Sequence, residues 1–427
     1  MVREIFNAAL KSADPYAAVK KCSDRTRKLY EESRCGKLVV ASFGKAACGM
    51  ARALEEDLGN LISRGVIVTK YGHCGGSFRK MEVFEAGHPV PDENGLRGTD
   101  RMVRMLNDCG EDTLVVCLIS GGGSALLVRP YDRIPFEDKQ EMTRLLLRAG
   151  ADIFEMNMVR KHLSAVKGGR LAELASPARV ISLILSDVIG DRLDVIASGP
   201  TCPDSTTFGD AVEVLKKYGL AAKTPRSIMD LFEKGINAAV PDTPKQDNPV
   251  FKRVENIIVG SNETAVRAAA ERSKSLGLVT RIISSRISGE ARKVGRELAE
   301  RARELKDRGP GGLPACLVAG GETTVTVTGN GKGGRNMELA LSFAMEVEGY
   351  EGITLLSAGT DGTDGPTDAA GAIVDGQTIA GAKAAGLDAG EYLDNNDSYH
   401  FFKKTEGLFI TGPTGTNVMD VQIVLVT

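Results

Sequence analysis

LVAGGETTVTVTGNGKGGRNMELAL, Leu317 to Leu341, carries a β-branched run into a glycine-rich turn and out into a helix. Thr324, Val325, Thr326, Val327 and Thr328 alternate with the period of two and the side-chain chemistry of a strand. Four glycines follow between Gly329 and Gly334, and glycine lets backbone amides approach a ligand closely or reach positive φ without steric cost. Asn336 is placed to cap a helix that continues from Met337 with apolar residues at helical spacing. Arg335 stands just before that helix start, where free amides and the positive end of the dipole converge, and Lys332 adds a second cation. The stretch reads as an anion or phosphate cradle with Gly331, Gly333 and Gly334 as amide donors; the plainer alternative is a hairpin or a tight strand-to-helix turn.

Working outward, the same theme of strand, punctuation and helix repeats, which makes this an α/β chain. KLVVASFGKAACGMARALEEDLG, residues 37–59, reads as a strand, a turn at Ser42 to Gly44 and a helix opened by Lys45. The Lys45 ammonium is placed to meet a phosphate on first-turn amides, or it is a solvated surface lysine; the stretch admits both. TLVVCLISGGGSALLV, residues 113–128, gives a continuous apolar strand of the kind buried on both faces of a parallel sheet. Gly121, Gly122, Gly123 and Ser124 at its end form a second glycine-rich turn, suited to an oxyanion and located where open α/β sheets bind ligands. His88 in the preceding loop is a ligand contact or a hydrogen-bonded loop histidine.

Residues 157–174 read as one helix carrying Arg160, Lys161, His162, Lys167 and Arg170, a basic face that is either solvated or ligand-binding. Asp187 follows a buried strand, and Asp361, Asp364 and Asp368 follow another; carboxylates there suit a hard cation or cap a turn. Gly235 to Asn256, polar and holding Pro241, Pro244 and Pro249, is the best domain boundary, and it divides the chain into residues 1–245 and 246–427. Gly309 and Pro310 mark the stop of the helix before the opening stretch.

The length of 427 residues calls for two or more cores. A net charge of -2 gives no general reason to expect nucleic acid or an anionic membrane as partner, so anion binding must be local. Neither a signal peptide nor a membrane span is legible, and the eight cysteines form no Cys-x-x-Cys pair, so reduced thiols in a cytoplasm are expected. The four histidines show no zinc-ligand spacing.

Glycine-rich turns, the cations Lys45 and Arg335, and acids at Asp187, Glu322, Asp361 and Asp364 together suit phosphoryl transfer, which asks mainly for positioning and charge neutralisation with Mg²⁺. Neither a P-loop motif nor the protein-kinase signatures occur. Gly329, Gly331 and Gly334 also satisfy Gly-x-Gly-x-x-Gly, which keeps open an NAD(P)-dependent dehydrogenase with Asp361 toward the ribose, although that spacing exceeds the usual ~20 residues. A non-catalytic small-molecule binding protein is the third possibility.

ASFGKAA, AGHPVPDENG, LISGGGSALL, NMVRKHLSAVKGGRLA, LSDVIGDRLDVIASGPT, GGETTVTVTGNGKGGRNMELAL, SAGTDGTDGPTDAAGAIVD and TGPTGTNVMDVQIVLV, in that order, resemble the class II, or MOFRL-type, glycerate 2-kinase family from about Val40 to the C-terminus. The resemblance implies a Rossmann-like N-terminal domain and a smaller C-terminal α/β domain, with the active site in the cleft. It further implies a cytoplasmic enzyme, dimeric as such enzymes commonly are, that uses ATP and Mg²⁺ to phosphorylate the 2-hydroxyl of D-glycerate. Members of this family have also been labelled hydroxypyruvate reductases. The family's acting lysine and arginine match Lys45 and Arg335. On this basis the turn from Gly121 to Ser124 is expected to hold phosphate, Arg160 the glycerate carboxylate, and Asp187, Asp361, Glu322 and Asp364 the Mg²⁺.

Overall fold

The computed structural model describes residues 1–131, 133–307 and 314–427. The chain divides into two compact units, one of Pro15–Leu185 and Asp191–Val259, the other of Met1–Asp14, Ser186–Gly190 and Gly260–Thr427. The proposed helix stop at Gly309 and Pro310 lies outside the described residues. Among the described residues no helix is long and apolar enough to cross a membrane.

The first unit is built on β1 (Lys37–Phe43), β2 (Ile62–Lys70), β3 (Met81–Ala86), β4 (Thr113–Ile119), β5 (Arg179–Leu185) and β6 (Val254–Gly260), in the order β3-β2-β1-β4-β5-β6. β1 runs parallel to β2 and β4, β2 to β3, and β4 to β5. Every residue of β4 is buried, as its unbroken apolar run requires. The order of connection reverses between β1 and β4, so the loops leaving these two strands open a crevice beyond their carboxyl ends. Beside the sheet, the helices Phe136–Arg148, Ile153–His162, Phe208–Lys217 and Arg226–Ile236 share an apolar core that includes Met142, Leu146, Met156, Val159, Phe208 and Phe232.

The single helix expected over residues 157–174 is broken. One helix ends at His162, another runs from Arg170 to Ala175, and between them Gly168 and Gly169 take φ of 57° and 85°. The Pro-rich stretch expected to divide the chain instead packs onto the first unit: Thr243 is buried, Pro244 O accepts the Asp204 amide at 3.0 Å, and β6 then joins the sheet beside β5.

The other unit carries β7 (Val279–Ile287), β8 (Ala315–Gly321), β9 (Ile353–Gly359), β10 (Gly371–Asp375), β11 (Leu408–Phe409) and β12 (Asp420–Val426), ordered β11-β10-β9-β12-β8-β7. β12 lies antiparallel between β8 and β9, and β7 runs parallel to β8. The helix Val2–Ser12 belongs to this unit because its buried Ile5, Phe6 and Ala9 need a core, and Phe6 meets Phe409 edge-on at 5.3 Å.

Two expectations are corrected here. Thr324 to Thr328 is not a strand: β8 ends at Gly321, and only Thr324 bridges to Glu290. The Thr324 amide donates to Gly289 O at 2.8 Å, and beyond it amides go to side chains instead of a ladder, with Thr326 N donating to Glu290 Oε1 at 3.1 Å and Thr328 N to Asn396 Oδ1 at 2.8 Å. The cysteines are also not all reduced. Cys48, at the start of the helix Ala47–Leu58, is disulfide-bonded to Cys74 in the loop after β2, a pair 26 residues apart that motif spacing could not reveal. The other six cysteines are free thiols.

Candidate active site

In the first unit, the loops leaving β1 and β4 interlock. Lys45 N donates to Gly121 O at 2.9 Å, and Ala46 N to Ser120 Oγ at 3.1 Å. The helix begins at Ala47, so Lys45 lies in the loop instead of opening the helix, with its stem against Gly122. Gly122 has φ of 80°, and a Cβ there would lie 2.9 Å from the His88 ring and 3.2 Å from Lys45 Cγ. This is a position only glycine fills. Ser124 Oγ lies 3.0 Å from Ser198 Oγ, which donates to Asn157 Oδ1 at 2.9 Å.

The loop leaving β4 borders a cavity of about 580 Å³ whose lining includes His88, Gly122, Ser124, Lys139, Arg160 and Lys167. No aspartate or glutamate among the described residues lines it. Lys139 is 7% and Lys167 1% exposed, and neither Nζ has a hydrogen-bond partner. Burial, reinforced by Arg160, pushes the Lys139 ammonium down to about 7. Burial, then Lys139 and Arg160, holds Lys167 well below the usual lysine range. The Arg160 guanidinium is lowered by burial. His88 falls to about 4 through burial and then the nearby charges of Lys45, Lys70 and His73, so its imidazole is neutral at neutral pH.

Of the basic residues expected on one helix face, only Arg160 and Lys167 reach this cavity. Lys161 is buried against Asp204 at 3.2 Å, His162 bonds Asp242 at 2.8 Å, and Arg170 stacks over Tyr131 at 4.5 Å. Sequence reasoning missed Lys139. Its signal was present in FEDKQEMTRLLLR, where Lys139 shares the buried stripe of Met142 and Leu146 at spacings of three and seven.

The other unit organises its site around Arg335. The guanidinium grips Asp420 as a fork, Nε to Oδ2 at 2.6 Å and Nη2 to Oδ1 at 2.9 Å, while Nη1 reaches Glu322 Oε1 at 2.9 Å. Burial opposes its charge, but Asp420 and Glu322 outweigh that and raise its pKa. Asp420, the first residue of β12 and 1% exposed, was not anticipated; nothing local in TNVMDVQIV marks it. Glu322 is pushed up by burial and further by Asp420, Asp187 and Asp361, against the pull of Arg335. This cluster of oxygen donors, with more carboxylates than cations, has the chemistry that a hard divalent cation relieves. Among the described residues no three such side chains are grouped to hold an ion alone. Asp361 Oδ1 also accepts from the amide and hydroxyl of Thr363 at 3.0 and 3.2 Å.

Three expectations around Gly329 to Asn336 change. The amides of Gly329, Asn330, Gly331 and Lys332 already donate to Asn396 Oδ1, Asn395 Oδ1, Asn395 O and Asp397 Oδ1 at 2.8 to 3.1 Å, so Gly331 is not a free phosphate donor. Nor do these glycines serve positive φ. They are needed because a Cβ at Gly331 would lie 2.4 Å from Asp397 Cβ, and one at Gly334 2.3 Å from Asp364 Cγ. Asn336 is not the cap, since the helix is Arg335–Glu346 and Gly334 precedes it. The cap comes from Asp364, whose two oxygens accept the Asn336 and Met337 amides at 3.1 and 2.8 Å. Asp364 is 2% exposed, and burial pushes its carboxyl up to about 7. Both of its oxygens thus hold a helix end.

Residues 1–233 match the family model described as Domain of unknown function (DUF4147), and residues 315–420 match the MOFRL family. The chain is 47% identical to the D-glycerate 2-kinase of Thermotoga maritima, covering 99% of this chain and 97% of that protein. It is 44% identical to the glycerate 2-kinase of Pyrococcus horikoshii, covering 100% and 98%. A crystal structure of Thermotoga maritima glycerate kinase superposes with a TM-score of 0.90 at 46% identity, covering 99% of this chain and 98% of that chain.

Proposed function

Because the chain belongs to the class II glycerate 2-kinase family, we propose that it transfers the γ-phosphoryl group of ATP to the 2-hydroxyl of D-glycerate, yielding 2-phosphoglycerate and ADP. The observation that supports this reading is the cavity at the β4 loop, where Lys139, Arg144, Arg160 and Lys167 face a space that no aspartate or glutamate among the described residues lines. Such a site is completed by an anionic small molecule. Arg160 takes the glycerate carboxylate, to which a guanidinium presents two parallel donors. Gly121, Gly122 and Ser124 hold phosphate oxygens; the Gly123 amide already donates to Ser120 O at 3.2 Å.

Lys45 and Arg335 neutralise charge on the transferring group, whose loose transition state needs positioning and counter-charge more than covalent help. Asp420 and Glu322 fix the Arg335 plane, and the Gly333 and Gly334 amides are the remaining phosphate donors beside it. Asp187, Asp361 and Glu322 are the carboxylates that would hold Mg²⁺ together with substrate phosphates, and the ion would offset phosphate charge there. The reading is of a cytoplasmic homodimer acting on free D-glycerate, with neither nucleic acid nor a membrane as partner.

The test is a pair of assays on the purified protein. ADP release with ATP, Mg²⁺ and D-glycerate, with the product passing directly into enolase, is the expected outcome. A change in NAD(P)H with hydroxypyruvate and no ADP would replace kinase with reductase chemistry.

A further inference from the structure

An unpaired cation sealed from water costs stability, so proteins rarely keep one and seldom two side by side. Lys139 and Lys167 are such a pair: both are more than nine-tenths buried, both lack a hydrogen-bond partner at Nζ, and both line the cavity that Arg160 and Ser124 enter. Among the described residues the titratable groups facing them are Arg144, Arg160 and His88, and none is an acid. Any charge they carry is therefore compensated by a ligand and by none of the described side chains around them.

Counting charge decides which ligand. An unphosphorylated hydroxy acid brings one carboxylate, which Arg160 matches alone. A phosphate adds about -1.5 to -2 charges and three acceptor oxygens, which is what two compact ammonium groups match. We infer that Lys139 and Lys167 form the phosphate half of the acceptor pocket, so that the cavity binds the 2-phospho acid, carboxylate on Arg160 and phosphate on the two lysines, in preference to the unphosphorylated acid. This rests on the glycerate kinase reading of the same cavity. The lowered basicity of both lysines agrees with it: a bound phosphate restores their protons, so product binding takes up protons from solution.

The experiment is isothermal titration of the full-length protein at pH 8, in two buffers of different ionisation heat, with D-glycerate, 2-phosphoglycerate and a non-hydrolysable ATP analogue. Wild type is expected to bind 2-phosphoglycerate at least about 10-fold more tightly than D-glycerate, with proton uptake. Lys167→Met and Lys139→Met each weaken 2-phosphoglycerate by about 10-fold or more and reduce the uptake, while D-glycerate stays within about 3-fold. Removing a buried amine that has no hydrogen-bond partner should leave the unliganded melting temperature equal or higher, so loss of fold is not mistaken for loss of binding; Lys167→Gln and Lys139→Gln repeat the test with polar side chains. Unchanged 2-phosphoglycerate affinity in all four variants overturns the assignment. So does a loss confined to the ATP analogue, which would make the lysines triphosphate ligands. Wild-type ADP release separates the two levels: no turnover sinks the kinase reading, whereas turnover with unaltered product affinity sinks only the role of the lysines.

Discussion

The two glycine-rich turns, Gly121 to Ser124 and Gly329 to Gly334, look alike in the sequence and are used in opposite ways. In the first, glycine at φ 80° keeps a side chain out of the space between His88 and Lys45, and the turn borders a cavity walled by cations. In the second, glycines bring backbone against Asn395 to Ser398 and Asp364, and four successive amides are taken by acceptors of the same unit. A glycine cluster reports that something must come close; whether that is a ligand or the protein's own chain is not written in the cluster.

The largest effect should come from the cations that accompany each turn. Arg335→Ala and Lys45→Ala are each expected to lower kcat/KM for ATP-dependent phosphorylation by about 10³-fold, the scale for losing a group that stabilises developing charge. ADP release measures this, and a loss of only a few fold at either site would mean that its turn has no partner in the chemistry. Next, Gly331→Ala should cost about 1–3 kcal/mol of stability, because its Cβ meets backbone and the Asp397 Cβ, with turnover per folded molecule retained. Gly122→Ala should do the reverse and raise KM more than it lowers the melting temperature. If the two substitutions behaved alike, the contrast between the turns would collapse.

Asp364→Ala removes the cap of the helix Arg335–Glu346 and is expected to cost about 0.5–2 kcal/mol, read by chemical denaturation. The smallest effect concerns His88. Its folded pKa of about 4 lies below the unfolded value of 6.5, so between those values the unfolded chain binds a proton that the folded chain does not. Stability therefore falls as pH drops from 6.5 toward 4, and His88→Gln should flatten part of that slope in denaturation curves taken across the window. Partial exposure of the ring keeps the effect modest.

Much of the molecule was legible in the chain. The apolar runs ending at Ile119, Leu185 and Gly359 are strands, because burial on both faces leaves an unbroken signature in the residues themselves, while the first strand continues through Ser42 and Phe43, which read as a turn. Glu322, Asp187 and Asp361 were each legible as acids just past an apolar strand, because strand ends in such sheets deliver side chains to one edge, whereas their nearness to one another depended on the fold. Other features depend on partners distant in sequence, and only the tertiary structure decided them. Asp420 reaches Arg335 across 85 positions, Asp364 caps a helix that begins 29 residues before it, and Cys74 finds Cys48 across a crossover. Lys139 sits on the buried stripe of its helix, and packing is what set it beside Arg160 and Lys167. Local periodicity determines which elements form, because it reflects which face of each must leave water. Which charges are paired, and which are left for a ligand, depends on what the fold brings opposite them.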